Sequence, residues 1–140
     1  PVVMQGYHNM PTETANTLRT LPDGKVWLFT GETELLSADA IGALEQHQLV
    51  VSPMVQLELS YLHEIGRLTI GGADMIADLR HRIGLQRSDL AFDSLVRTAA
   101  TLTWTRDPFD RLIVADALVA GGALVTKDRT IHDHTTIALW

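Results

Sequence analysis

From Val26 onward the chain alternates short apolar runs with longer stretches of mixed polarity, a pattern that predicts strands and helices in turn. Val26–Phe29 is a compact apolar run closed by the polar break Thr30–Glu34. Ser37 then reads as the N-cap of a helix over roughly Ala38–His47, with Ile41 and Leu44 on one face. Leu49–Val51 is a short β-branched run and predicts a buried strand. Ser52 caps the next helix and Pro53 takes its first position. That helix carries Val55, Leu57, Leu59 and Leu62 and stops at Gly66. A further helix is expected from about Gly72 to Gly84, a short strand at Leu85–Arg87, and a helix over Leu90–Leu102 with Phe92, Leu95, Val96 and Ala99 inward. Leu102–Trp104 is a strand or an extended lead. Asp107 caps a helix that runs to about Ala120 and ends at Gly121–Gly122; Ala123–Thr126 is a buried strand and Thr136–Leu139 a candidate last one. Strands alternating with helices imply an α/β fold whose parallel sheet is covered on both faces.

The first 25 residues are less regular. Gly6, Asn9, Pro11, Pro22 and Gly24 punctuate them, and short strands fit only at Pro1–Met4 and near Leu18–Leu21. At 140 residues, the chain suits one domain with one core. With no cysteine, it has neither disulfides nor thiolate metal sites, which fits a reducing cytosol. No apolar run is long enough to span a bilayer, and no secretory signal pattern is read, so a cytoplasmic location without membrane attachment is expected.

Charge changes the picture more through its distribution than its sum. The net charge of −6 does not favour a nucleic-acid partner. Yet residues 1–66 hold two basic residues against eight acidic ones, while residues 67–140 hold nine of each. A phosphate-binding surface would therefore lie in the second half.

The candidate chemistry concentrates there too. Asp107, Pro108 and Asp110 fit a helix start, where a cap and the helix dipole both favour acids. Asp128 follows a buried strand, at the edge of a parallel sheet where ligands collect. Helix N-termini line the same edge, so Asp110 and Asp128 can face one crevice. Two carboxylates held together repel unless a cation joins them, and hard cations prefer such oxygen ligands. Glu58 sits among Leu57, Leu59 and Leu62, and it either points to solvent or needs a partner. His132, Asp133 and His134 read as a solvated segment. Trp27, Trp104 and Trp140 can stack on bases but fit core or dimer packing as well.

The segment LVVSPMVQLELSYLHEIGRL (residues 49–68), followed by WTRDPFDRLIVADALVAGGALVTKD (residues 104–128), resembles the PIN-domain toxins of the VapC type. The similarity runs from about Val26 to Ile131. It implies a three-layer PIN-like α/β fold over residues 1–140, with residues 1–25 atypical. It further implies a Mg2+- or Mn2+-dependent endoribonuclease, the toxin of a VapBC-type pair, that dimerises with itself and is inhibited by a VapB-like antitoxin. Carried over by position, the acidic cluster that holds metal and catalyses falls on Glu58, Asp110 and Asp128, with Asp107 secondary. Arg106, Arg111, Lys127 and Arg129 flank these acids and are candidates to hold the RNA backbone. One element departs from the pattern. The family opens with a strand ending in an aspartate about six residues before a tryptophan. With Trp27 as that tryptophan, the place holds Leu21, and Asp23 stands four residues before it. A degenerate PIN module that acts by binding RNA or protein is therefore the alternative.

Overall fold

The computed structural model describes residues 37–140 and, ahead of them, the strands Val2–Met4 (β1), Leu18–Thr20 (β2) and Val26–Leu28 (β3). Leu21 and Asp23 lie outside the described residues. Helix α1 (Ala38–Gln46) leads to β4 (Leu49–Val51), α2 (Pro53–Glu64) and α3 (Gly72–Ile83). The short β5 (Gln86–Arg87), α4 (Phe92–Thr101) and α5 (Pro108–Ala120) follow, then β6 (Ala123–Val125), α6 (Arg129–His134) and β7 (Ala138–Leu139).

The main sheet has five strands in the order β5-β4-β1-β6-β7, and every pair in it is parallel. Its centre is the first strand of the chain: Met4 is level with Val51 on one side and Val125 on the other. The Val26 run stays out of that sheet and pairs antiparallel with Leu18–Thr20. The chain is thus of the α/β class. Leu124 and Val125, which point to opposite faces of β6, enter different apolar clusters. Leu124 packs with Val55 and Leu59 of α2 and with Ile113, Val114 and Ala117 of α5; Val125 packs with Ala40 of α1.

The helix ends follow local chemistry. The side chains of Ser37, Ser52 and Asp107 each accept a hydrogen bond from a first-turn N–H, and proline follows the latter two caps. Gly121 ends α5 in the left-handed region at φ 65°, a conformation that favours glycine. Gly72, at the start of α3, lets that helix approach α2 closely. A Cβ there would lie 2.6 Å from the Gln56 carbonyl oxygen and 2.9 Å from the Ser60 nitrogen.

Some expected positions differ. Leu57 is 54% exposed and Glu58 only 4%, so α2 turns the acid inward and the leucine outward. On α4, Leu95 and Ala99 are buried as expected, but Phe92 and Val96 are exposed. A helix with apolar residues on more than one face leaves open which face the core takes. Leu44 packs on the core, whereas the side chain of Ile41 lies outside the described residues. Residues 102–104 form no strand, and the His132–His134 segment is exposed as expected but belongs to the short helix α6. Among the described residues, no helix is long and apolar enough to cross a membrane.

Candidate active site

Because the five strands run parallel, their carboxyl ends share one edge of the sheet. Helix α2 leaves that edge directly after β4, and Asp128 stands there three residues past the end of β6. Helix α5 ends where β6 begins, so its first turn lies toward the same edge. Strands β4 and β6 flank β1. The topology therefore brings Glu58, Asp110 and Asp128 to the crevice around the carboxyl end of β1, the place where open parallel sheets bind ligands.

Their environments differ. Glu58 is buried in the second turn of α2, beside Leu59. Asp110, 8% exposed, faces inward from the first turn of α5, where the helix dipole favours its charge. The Thr105 hydroxyl, itself buried, donates to Asp110 Oδ2 at 3.2 Å and accepts from the Asp107 N–H at 3.1 Å. One threonine thus fixes both the helix start and the acid behind it. Asp107 Oδ1 accepts from the Phe109 N–H at 2.8 Å, which makes this residue a cap first. Asp128 is half-buried; its Oδ1 accepts from the Ile131 N–H at 3.1 Å and starts α6, and its own N–H donates to the Thr126 hydroxyl.

These carboxylates form an all-oxygen donor set of the kind that hard divalent cations take. Among the described residues, no three His, Asp or Glu side chains are grouped so as to hold one ion. The basic candidates divide by exposure. Arg106 and Arg129 are exposed, and Lys127 is half-buried between Thr126 and Asp128. Arg111 is half-buried, and its Nε donates to the Thr105 carbonyl at 2.7 Å, which anchors it beside the same threonine.

Sequence reasoning passed over several residues that shape this region. Thr105 gives no periodic or motif signal. Asp116 gives one: it interrupts the apolar run LIVADALVA. It is fully buried on α5, and the Ser88 hydroxyl donates to its Oδ1 at 2.7 Å. Its Oδ2 has no hydrogen-bond partner among the described residues. Ser88 directly follows β5, and its N–H donates to the Val51 carbonyl. The pair therefore ties α5 to the end of β4, next to the cap of α2.

No family model matches the chain. Ribonuclease VapC22 of Mycobacterium tuberculosis is 32% identical to it over 109 residues, a stretch that takes in 76% of this chain and 83% of that relative. With that identity held across most of both chains, the protein belongs to the VapC family.

Proposed function

We propose that the protein is a metal-dependent endoribonuclease, the toxin of a VapBC-type pair, with a three-layer PIN fold. The observation that carries this reading is the burial of two carboxylates, Glu58 and Asp110, on helices that both begin at the carboxyl edge of the sheet. Two buried carboxylates at one ligand-binding edge offer the oxygen ligands that a hard divalent cation prefers. Glu58, Asp110 and Asp128 would hold magnesium or manganese. When bound, the metal supplies a more acidic water and stabilises charge on the phosphate. Thr105 keeps Asp110 turned into the crevice. Arg106, Arg129, Lys127 and the Nη groups of Arg111 bind the RNA backbone through its phosphates. A carboxylate of the cluster takes the proton of the attacking water.

The resemblance to the VapC-type toxins implies a partner as well as a substrate. We assign a VapB-like antitoxin, self-association into a homodimer and a cytoplasmic site of action. The exposed stripe Leu57, Tyr61 and Ile65 along α2 is apolar surface of the sort a second protein chain covers.

The test is cleavage of single-stranded RNA by the purified protein. Magnesium or manganese should support cutting, EDTA should stop it, and Asp110→Asn should abolish it while the far-ultraviolet circular dichroism stays unchanged. Unchanged cutting by Asp110→Asn would overturn the assignment.

Two observations favour a second reading, a PIN module that binds without cutting. Six residues before Trp27, where the resemblance puts the family's aspartate, the sequence has Leu21. And among the described residues no group of three or more His, Asp or Glu side chains is placed to hold one ion. Calorimetric titration with manganese separates the two readings. Saturable binding that Asp110→Asn removes supports the nuclease, and its absence at millimolar manganese supports the binding module.

A further inference from the structure

We propose that a cavity between α5 and α6 is a nucleobase subsite, which seats one base of the RNA next to the candidate active site. The proposal rests on the ribonuclease reading above. The cavity is about 470 Å³, within the range of small-molecule sites. Its apolar wall comes from Leu102, Val114 and Leu118. Val114 and Leu118 follow Asp110 at successive helical turns, so the wall continues the stripe of α5 that carries the acid.

Part of the lining is aromatic. The rings of Trp104 and His134 stack at a centroid distance of 5.0 Å and an interplanar angle of 12°. His134 Nδ1 lies 2.8 Å from the Thr130 carbonyl oxygen, which fixes the tilt of its ring. A flat conjugated ligand adds to such a stack whatever its sequence identity, because every base has a π-face. Asp133, Thr135 and Thr136 add carboxylate and hydroxyl groups to the lining. These can accept from the amino or imino edge of a base, as the carboxylate of an acid accepts from cytosine.

The lining is tied to the acids at two points. Trp104 precedes Thr105, whose hydroxyl holds Asp110. His132, also in the lining, has Nε2 2.8 Å from the Thr126 carbonyl oxygen, and the Thr126 hydroxyl accepts from the Asp128 N–H. A base in the cavity is therefore one short linkage from the carboxylates, and the exposed Arg106 and Arg129 lie in the same two segments to meet the flanking phosphates. This continuity and charge favour RNA over a protein segment as the occupant.

The test uses uncleavable 2′-O-methyl heptanucleotides, fluorescein-labelled, with EDTA present so that binding is read without metal or catalysis. Each is paired with a version abasic at one position. The full-length protein should bind the intact RNA roughly tenfold more tightly than the version abasic at one particular position, a loss typical of base–aromatic stacking. His134→Ala, a change at an exposed residue, should erase that difference. Trp104→Phe should keep it, since a phenyl ring still stacks. A difference that survives in His134→Ala overturns the proposal, and so does wild-type binding that ignores every abasic position. A His134→Ala protein with unchanged RNA affinity but an altered oligomeric state by light scattering would assign the cavity to a second protein chain instead. If the wild-type protein binds no RNA, the ribonuclease reading falls with it; if it binds and cuts RNA without base discrimination, only the subsite falls.

Discussion

Helices α2 and α5 start in the same way and are buried differently. Each opens with a capping side chain and a proline, Ser52–Pro53 and Asp107–Pro108, and each carries a buried acid within its first two turns. Helix α2 hides Val55, Glu58 and Leu59 and turns Leu57 and Tyr61 outward, with the exposed Ile65 at its C-cap. Helix α5 hides Asp110 and the whole run from Ile113 to Ala117, including Asp116. It does so because it lies between the sheet, α2 and α4. The start of a helix is written in three or four adjacent residues. Which acid it buries is decided by neighbours far away in the chain.

The largest expected effect asks whether the two buried acids are equivalent. Glu58→Gln keeps the size of the side chain and removes its charge. If Glu58 is a metal ligand like Asp110, cleavage should fall by more than about a hundredfold, beyond the usual cost of altering a residue behind the ligands. The protein should remain folded, because a neutral amide costs less to bury than a carboxylate. Steady-state cleavage rates at several manganese concentrations check this. A rate within a few-fold of wild type would make Glu58 a structural acid and break the likeness between the helices.

A smaller effect, on stability rather than rate, is expected at Asp116. Asp116→Ala removes the acceptor for the Ser88 hydroxyl at a site with no solvent access, which should cost about 1–3 kcal/mol, read from the urea midpoint. Asp116→Asn keeps Oδ1 as acceptor and should lose less. Once folded, it should cut RNA at nearly the wild-type rate, in contrast to Asp110→Asn six residues earlier. Loss of cutting by Asp116→Asn at unchanged stability would place Asp116 among the residues that contact metal or RNA.

What could be read from the sequence follows the same division. Ser37, Ser52 and Asp107 mark helix starts correctly because capping is a local bond. Leu49–Val51 and Ala123–Val125 are strands as their apolar runs predict. Asp110 and Asp128 could be assigned to one edge because each stands next to a recognisable boundary. The central place of β1 could not be read. Three residues carry no period, and their role depends on pairing with residues 49–51 and 123–125, distant in the chain. The tryptophan offset puts the family's aspartate at Leu21, outside the described residues, and Trp27 itself lies in the separate β2–β3 pair. Helix α6 was missed because RTIHDH buries only Ile131 and has no amphipathic period; the Asp128 cap and the contact with β7 hold it instead. Glu58 stayed ambiguous because leucines surround it on both sides of the helix, so no single apolar stripe shows which way it faces.

The smallest effect separates the two caps themselves. Ser52 is neutral and fully buried, and its hydroxyl accepts from the Met54 N–H at 3.3 Å. Asp107 is charged and half-buried, with a shorter bond of 2.8 Å to the Phe109 N–H. Either residue changed to alanine should cost about 1 kcal/mol. The two losses should respond differently to salt. Part of what Asp107 contributes is attraction between its charge and the amino end of α5, which ions screen. The serine contributes a hydrogen bond between neutral groups, and burial keeps ions away from it. Urea unfolding at 0.05 M and 1 M sodium chloride, roughly 14 Å and 3 Å of screening length, should therefore shrink the Asp107→Ala loss and leave the Ser52→Ala loss unchanged. Equal salt responses would mean that the charge of Asp107 adds nothing to its bond, and the acid at the head of α5 would then be a cap of the same kind as the serine at the head of α2.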